Sequence, residues 1–340
     1  MNLRYFWKWE LWPYWLFYVP VYVYYGVLAL RSGSLSFVTA ANPGMRNGGF
    51  VDYPKHEILR HVDPALLPKT IYFERIDDPE SVLREMERRG IRFPIILKPD
   101  RGERGWNVKK IEDRGQMAEY MARISSRILL QELVDYPREY GVMYARLPGR
   151  RRGRVTSVVM KEPVSVVGDG RSTLGELIRG SERGRLHWKL FSKRFARRLG
   201  QVPRRGETVS LVEFGTHSLG ATFRSGNHLI GPRLTEVFDR VSRRIPGFYF
   251  GRYDVKAPSF EELLRGNFKI IEINGANSEP THIYDPDNRL LTAYRDLLAH
   301  WRLLCRVSRI NLSRGKTGVS FLSLLHSVQT HLRRRKRLSV

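Results

Sequence analysis

Residues 268–286 read FKIIEINGANSEPTHIYDP, and an earlier stretch, 249–255, reads YFGRYDV. Both patterns predict strands, and together they carry Asp254, Glu272 and Asn274. Glu272 and Asn274 are two residues apart, so their side chains lie on one face of a strand. A carboxylate inside an apolar strand is costly to bury unpaired, and oxygen ligands on rigid strands suit Mg²⁺ that bridges phosphates. We therefore predict that these three residues bind metal.

A second group of candidate residues follows a predicted strand at 93–98. The sequence FPIILKPDRGERGWNV places Lys98 at the end of this strand and a loop with Gly102 and Gly105 after it. Glycines let backbone N–H groups approach phosphate oxygens, and the lysine adds a positive charge. Glycine-rich turns after strands are common, so this pattern indicates a phosphate site only together with other motifs.

A third candidate is LLQELVDYPREYGV, residues 129–142. It predicts a strand that ends at 131–134, a turn, and a further strand opened by Glu139. The exposed backbone of such a segment can bind an adenine edge, and a carboxylate seven residues later can accept hydrogen bonds from ribose hydroxyls. The alternative is an ordinary edge strand followed by a hairpin.

The composition narrows the class of protein. The chain has 340 residues, 42% of them hydrophobic, which is enough for a core and excludes wholesale disorder. Its one cysteine excludes an intramolecular disulfide, a cysteine-rich zinc site and an iron–sulfur cluster. From residue 51 onward, short apolar strands, one of them at 268–273, alternate with amphipathic helices, two of which are predicted at 186–198 and 290–308. No internal repeat is visible. This pattern predicts an α+β fold.

The net charge of +25 is unevenly distributed. Residues 178–206 contain ten basic residues and one acid, and residues 301–340 contain ten basic residues and no acid. This excess of positive charge favours binding to nucleic acid, to an anionic membrane or to a polyanionic substrate. The tail adds an apolar helical face over 319–332 before the cluster RRRKR at 333–337. This combination favours an anionic leaflet, and a solvated terminus is the alternative.

The segment 11–30, LWPYWLFYVPVYVYYGVLAL, contains no charged residue. Twenty apolar residues can cross a hydrocarbon core of about 30 Å. However, tryptophan and tyrosine prefer the membrane interface, and Pro13 and Pro20 interrupt a helix. We predict membrane association over residues 1–35, either as a single span or as an interfacial helix. The alternatives are a buried core helix and a signal peptide, and the aromatic content and the lack of a nearby cleavage site disfavour the signal peptide.

In order along the chain, these motifs resemble the ATP-grasp superfamily of carboxylate–amine ligases. The similarity covers about residues 51–300 and is greatest to D-alanine–D-alanine ligases and cyanophycin synthetases. Two further stretches contribute to it, SVVMKEPVSVVGDGRSTLGELI and GETVSLVEFGTHSLGATF. The resemblance implies an ATP-grasp fold, in which two α+β subdomains clasp ATP, and an enzyme that requires ATP and two Mg²⁺ ions, for which Mn²⁺ can substitute.

The resemblance also assigns roles to residues. The implied nucleotide-binding residues are Lys98, Gly102, Glu103, Arg104, Gly105, Gln131, Glu132, Leu133, Val134, Glu139 and Lys161. Among them, Lys98 and Lys161 resemble the two phosphate lysines, and Glu139 resembles the ribose ligand. Arg252 and Lys161 are the implied catalytic residues. Asp254, Glu272 and Asn274 are the implied metal ligands, with Glu272 bridging two ions.

The chain departs from its relatives upstream of the phosphate lysine. Many relatives have another phosphate lysine there, but the aligned position is near Arg60 and the nearest lysine is Lys55. Too few residues precede Lys98 for a full pre-grasp domain. We predict a membrane segment at 1–35, a connector with a truncated pre-grasp region at 36–92, a catalytic domain at 93–310 and a basic amphipathic tail at 311–340.

The predicted function is an ATP- and Mg²⁺-dependent ligase that joins a carboxylate to an amine through an acyl phosphate, at the membrane. Its substrates are a carboxylate and an amine, one of which can be lipid-linked, and its catalytic domain is cytoplasmic. A further partner is an anionic membrane surface, and nucleic acid is not favoured. The alternatives are an ATP-grasp phosphotransferase and a non-catalytic, membrane-tethered basic binding protein. No Ser-His-Asp or Cys-His arrangement is evident from the sequence, and His217 and His282 have no assigned role.

Overall fold

The computed structural model describes residues 8–75, 78–102, 105–124, 127–212, 215 and 220–337. Helices and strands alternate along the chain, so the predicted α+β class is confirmed. The chain forms two compact units, one made of Met1–Met160 with Ser225–Val340 and the other of Lys161–Arg224. The second unit lies within the predicted 93–310 domain, whose boundaries stay predictions.

The elements are as follows. The strands are β1 (Thr70–Phe73), β2 (Ile95–Pro99), β3 (Lys109–Ile111), β4 (Ile128–Glu132), β5 (Arg138–Ala145), β6 (Arg154–Glu162), β7 (Ser165–Val167), β8 (Thr208–Ser210), β9 (Thr222–Ser225), β10 (Phe250–Ala257) and β11 (Lys269–Asn274). The helices are α1 (Tyr14–Phe17), α2 (Val19–Ser32), α3 (Lys55–Leu59), α4 (Pro79–Arg88), α5 (Arg114–Arg123), α6 (Leu174–Gly180), α7 (Glu182–Leu186), α8 (Trp188–Arg194), α9 (Pro232–Arg244), α10 (Phe260–Arg265), α11 (Leu290–Ser313) and α12 (Phe321–Arg337).

The first unit contains a four-stranded sheet in the order β1-β4-β2-β3. Ile95 and Leu97 of β2 are fully buried and belong to one core cluster with residues of α4 and α5. Both helices begin at an aspartate, since the side chain of Asp78 accepts from the Ser81 N–H at 2.8 Å and Asp113 caps α5 in the same way. These caps and the shared core hold β2, which carries Lys98, in a fixed position.

A five-stranded sheet follows the order β11-β10-β5-β6-β9. Strand β10 pairs antiparallel with both β5 and β11. Tyr253 and Val255 of β10 point into a core that also contains Phe238 of α9. Because strand side chains alternate between faces, Arg252 and Asp254 lie on the opposite face.

The predicted hydrophobic segment 11–30 is divided into α1 and α2. Pro20 lacks an N–H, so it cannot continue the hydrogen bonding of α1 into α2. One face of this pair is buried against α11, with Phe17, Val21 and Leu28 each at most 2% exposed. Among the described residues, no helix is both long and apolar enough to cross a membrane.

The second unit, residues 161–224, contains the β7–β8 pair and helices α6 to α8. A capping box between Thr173 and Glu176 starts α6. Part of the arginine-rich stretch 178–206 has partners within this unit. The Arg179 guanidinium lies 4.1 Å from the centroid of a Trp188 ring, and Arg194 donates to the Leu211 carbonyl. These arginines therefore contribute to local folding.

A buried polar network connects β6 to α11. The Ser157 hydroxyl donates to Nδ1 of His282 at 2.6 Å, and Nε2–H of His282 donates to Asp296 at 3.1 Å. This is a Ser-His-Asp arrangement that the sequence did not reveal. Ser157 is 1% exposed, and its hydroxyl proton is engaged in the hydrogen bond to His282. The network therefore stabilises the fold and gives His282 a structural role.

His300 extends this network. Its Nδ1–H donates to the Asp296 carbonyl at 2.8 Å, and its Nε2 accepts from the Thr156 hydroxyl at 3.0 Å. Burial lowers the pKa of His300 to about 4, against the smaller opposing effect of Asp296. The folded protein thus keeps His300 neutral at pH values where the unfolded chain protonates it, so stability falls as pH falls from about 6.5 toward 4.

We predict that His300 contributes up to about 3 kcal/mol to this acid-induced loss of unfolding free energy. A His300→Gln variant should lose stability less steeply than the wild type between pH 6.5 and 4 in urea unfolding. His326→Gln, at an exposed position of α12, is the matched control and should retain the wild-type slope. Equal slopes for His300→Gln and the wild type would contradict the prediction.

Candidate functional site

The register of β10 and β11 brings four predicted residues together. Arg252 pairs with Asn274, and Asp254 pairs with Glu272 across the two strands. Directly opposite residues have Cβ atoms about 5 Å apart and share a face of the sheet. The three predicted metal ligands and the predicted catalytic arginine are therefore neighbours on one surface.

Arg252 forms a two-pronged ion pair with Asp254. Its Nε and one terminal nitrogen donate to the two carboxylate oxygens, each at 3.0 Å. Asn274 donates to the same carboxylate at 3.1 Å and accepts from the Tyr53 hydroxyl at 3.0 Å. Burial acts to lower the pKa of Arg252, but Asp254 and the nearby carboxylate of Glu272 raise it overall. The guanidinium is thus a permanent charge in a fixed orientation.

Lys98 approaches this surface from the other sheet of the first unit. Its ammonium donates to the Ile271 carbonyl at 2.9 Å. This carbonyl lies at a β-bulge, because Asp254 pairs with Glu272 while the next residue of β10 pairs with Ile270. Burial lowers the pKa of Lys98 to about 8, although the carboxylate of Glu272 opposes the shift. A desolvated ammonium of this kind interacts strongly with phosphate oxygens.

Lys55, the lysine nearest to Arg60 in the sequence, lies at the candidate site. Its ammonium is 3.6 Å from a Glu272 oxygen and donates to the Gly102 carbonyl, and the residue is 5% exposed. Arg60, at the aligned position, is exposed on the surface. The lysine that lies at the site is therefore Lys55, five positions before the aligned residue.

The remaining predicted nucleotide residues of the first unit lie around the end of β4. Gln131 donates to the Thr70 hydroxyl, and Glu132 accepts from the Lys69 N–H. Leu133 is half-buried, and the Val134 carbonyl accepts from Lys256. The position of Glu139 is opposite Lys256 on β10. The carbonyl contact and this register tie the segment after β4 to the strand that carries Asp254.

Four residues that the sequence singles out are not assigned to the site by the described structure. Glu103 and Arg104 of the glycine loop, together with His217, lie outside the described residues. Gly105, next to the first two, adopts a φ of 70°, which glycine adopts readily. Lys161 is a half-buried residue of β6 in the second unit, so its assigned phosphate contact stays a prediction.

Sequence reasoning missed several residues that support the site. Ser278 accepts from the Arg252 backbone N–H at 3.1 Å and donates to the Asn274 carbonyl at 2.8 Å. Gly141 lies opposite Asp254 on β5. A side chain there would meet Val159 at 2.7 Å and both Arg252 and Asp254 at 3.3 Å. A glycine within a strand can signal such a close approach, but the sequence does not show which residues approach it.

The donor set fits a hard cation. Among the residues described, no group of three or more His, Cys, Asp or Glu side chains is placed to hold a metal, and the predicted set has two carboxylates and one amide. Glu272 is half-buried, and within the described ranges no hydrogen-bond donor to its carboxylate is found. Carboxylate and amide oxygens of this kind are the ligands that Mg²⁺ prefers.

No protein-family model matches the chain. In sequence it is 25% identical over 237 residues to cyanophycin synthetase from Trichormus variabilis and, equally, to that from a Nostoc strain. These alignments cover 64% of this chain and 25% of each synthetase. The chain is similar to ATP-grasp ligases. The resemblance predicted from the motifs is thereby confirmed, although the chain spans only about a quarter of the curated relatives it matches.

Solved structures show weaker likenesses. D-alanine–D-alanine ligase from Coxiella burnetii has 8% identity and a TM-score of 0.41, covering 77% of this chain and 58% of that one. A bifunctional glutathione synthetase from Pasteurella multocida has 14% identity and a TM-score of 0.37, and the match covers 72% of this chain and 36% of the synthetase. The ATP-grasp ligase PsnB, solved in complex with its minimal precursor, has 17% identity and a TM-score of 0.35. The match covers 66% of this chain and 52% of PsnB. Because these TM-scores are below 0.5, they add nothing to the description of the site.

We predict that Gly141→Ala displaces the Arg252–Asp254 pair and weakens binding of Mg²⁺-ADP by about tenfold. The added methyl group has no room, since its nearest neighbour would be 2.7 Å away. The measurement is calorimetric titration of the full chain. Gly200→Ala is the control, because a side chain at that position meets nothing within 4 Å. Unchanged nucleotide affinity in a folded Gly141→Ala protein would contradict the prediction.

Proposed function

We propose that this protein is an ATP-grasp ligase that uses ATP and Mg²⁺ to join a carboxylate to an amine. The observation that carries the proposal is the cross-strand arrangement of Arg252 and Asp254 opposite Asn274 and Glu272, with Lys98 beside it. It combines hard oxygen ligands with fixed cations on one surface. The sequence similarity to cyanophycin synthetase supports the same reaction class.

Each residue of the site has a distinct role in the proposed reaction. Lys98 and Lys55 are buried cations that would bind phosphate oxygens of ATP. Asp254, Glu272 and Asn274 would hold Mg²⁺, which neutralises phosphate charge when bound. Arg252 supplies the charge that stabilises the phosphoryl group during transfer. Catalysis of this kind rests on positioning and electrostatic stabilisation, so it requires no covalent nucleophile.

The proposed reaction has two steps. A substrate carboxylate oxygen attacks the γ-phosphorus of ATP, the bond to the β–γ bridging oxygen breaks, and ADP leaves with an acyl phosphate formed. The amine then attacks the acyl carbon, the carbon–nitrogen bond forms, phosphate leaves, and the nitrogen loses a proton. A phosphotransferase would stop after a single transfer to a non-carboxylate acceptor. Hydroxylamine distinguishes the two, because only an acyl phosphate gives a hydroxamate.

The proposal includes location at an anionic membrane surface, with a cytoplasmic catalytic domain. Helix α2 is apolar over most of its length, and the face turned away from α11 is exposed. Val23 is 69% exposed and Leu30 is 85% exposed, and Trp15 of α1 is 66% exposed. Val19, Tyr22 and Val27 complete this outward face. Isolated apolar residues are ordinary on a protein surface, but a contiguous row indicates a binding surface.

The charges beside this outward face match anionic lipid. Arg302 of α11 donates to the Tyr24 hydroxyl at 3.3 Å, so it lies at the edge of α2. Arg31 of α2 and Arg309 of α11 are also exposed. Residues 11–35 and 301–340 contain no acid. Aromatic and aliphatic side chains bordered by arginines favour a helix lying in the interface of an anionic membrane.

We predict that Glu272→Gln weakens Mg²⁺-ADP binding by at least about tenfold and abolishes ATP-dependent ADP release. The substitution keeps the shape of the side chain but removes the charge that would hold the metal. Calorimetric titration measures the binding. The control Glu236→Gln changes an exposed glutamate of α9 and should bind normally. Retained affinity in Glu272→Gln would count against the metal assignment.

We predict that the double variant Val23→Asp/Leu30→Asp binds vesicles containing phosphatidylglycerol about tenfold more weakly than the wild type. Vesicle co-sedimentation is the measurement, and both positions are exposed enough for the fold to tolerate the change. Val202→Asp, at a 49% exposed position of the second unit, is the control. Equal sedimentation of all three proteins would refute the membrane surface. A wild-type dimer that the double variant dissociates would assign the outward face to a second copy instead.

A further inference from the structure

The segment 52–55 connects three parts of the candidate site. Tyr53 donates to Asn274 at 3.0 Å, and Lys55 contacts both Gly102 and Glu272. Asp52, at the start of the segment, is 5% exposed and accepts from Arg101 at 2.9 Å. Successive residues of one short segment therefore fix the metal side of the site and the start of the glycine loop.

A residue from the far end of the sequence completes this arrangement. Arg334 of α12 donates to the second oxygen of Asp52 at 2.6 Å. The Asp52 carboxylate is thus bound on one oxygen by Arg101 and on the other by Arg334, and its side chain is only 4% exposed. A buried carboxylate between two guanidinium groups has a well-defined orientation, because each charge-assisted hydrogen bond restrains it.

Arg101 retains an unused donor. Its Nε is buried and has no hydrogen-bond partner among the described residues. Buried polar atoms in proteins are normally hydrogen-bonded, so an exception calls for a ligand or another explanation. Arg101 immediately precedes Gly102, whose carbonyl already binds Lys55. A phosphate bound beside the Gly102 backbone is therefore a candidate partner for this donor.

We propose that Arg101 is a further nucleotide-phosphate ligand and that Asp52 and Arg334 position it, so that the C-terminal helix α12 takes part in nucleotide binding. The proposal rests on the proposed function, since it assigns the anion to the phosphates of ATP. It differs from membrane attraction of the tail, because it depends on one arginine of the cluster 333–337 and on a contact with Asp52.

The direction in which Asp52→Asn changes nucleotide affinity distinguishes a positioning role from a long-range effect of charge. Asp52→Asn removes a negative charge, which by simple electrostatics should strengthen binding of an anionic nucleotide. If Asp52 positions Arg101, the same substitution should weaken binding. Asn also accepts the φ of 52° that Asp52 adopts, so the backbone at this position is not strained further.

The test is calorimetric titration of the 340-residue chain with Mg²⁺-ADP. We expect Arg334→Gln and Asp52→Asn each to weaken binding about fivefold, Arg101→Gln to weaken it more, and the double variant Asp52→Asn/Arg334→Gln to resemble Asp52→Asn alone. The matched control is Arg333→Gln, which removes the same charge from an exposed neighbour and should bind as the wild type does.

Two results would overturn the proposal. One is equal affinity for Arg334→Gln and Arg333→Gln, and the other is stronger binding by Asp52→Asn. The Arg334 side chain is 30% exposed and that of Asp52 only 4%, so Arg334→Gln should fold even if Asp52→Asn does not. Circular dichroism checks the folding of both variants. If the wild type itself fails to bind Mg²⁺-ADP, the proposed function fails. If the wild type binds and Arg334→Gln binds equally well, this proposal fails while the proposed function stands.

Discussion

The pairing of Asp254 with Glu272 across β10 and β11 is the constraint on which the candidate site depends. A shift of one residue would turn these carboxylates to the opposite face, toward the core, because strand side chains alternate. The bulge that follows this pair leaves the Ile271 carbonyl to accept from Lys98, so the irregularity links two sheets of the first unit. Gly141 on β5 keeps the space in which the Arg252 side chain reaches Asp254. The strand register, the bulge and Gly141 thus bring opposite charges together at a buried position. A positive or a negative charge buried there without its partner would be costly.

Local sequence was sufficient for many elements and for the members of the metal-binding set. The predicted strand at 268–273 is observed as Lys269–Asn274, and the predicted helix at 290–308 is observed as Leu290–Ser313. Their apolar periodicity is strong enough to identify them without tertiary information. The predicted helix at 186–198 is instead confined to Trp188–Arg194, with α7 before it. Short strands such as β1 and β9 were missed, because four residues carry too little periodicity to stand out from a loop.

The supporting contacts could not be read from the sequence, because they join residues far apart along the chain. Tyr53 meets Asn274 and Lys55 meets Glu272, yet more than 200 positions separate the members of each pair. The same holds for Arg334 and Asp52. In the sequence, the charge of the tail favours an anionic leaflet, with a solvated terminus as the alternative. The structure adds a partner within the chain, while the outward face of α2 and its neighbouring arginines remain the surface proposed for lipid.

The most direct test of the central claim is a crystal structure of the full chain with Mn²⁺ and ADP, in which anomalous scattering locates the metal. The account predicts an anomalous peak within about 2.2 Å of carboxylate oxygens of both Asp254 and Glu272, with Lys98 in contact with an ADP phosphate. Metal bound elsewhere on the chain, or ADP bound away from Lys98 and Arg252, would contradict the account.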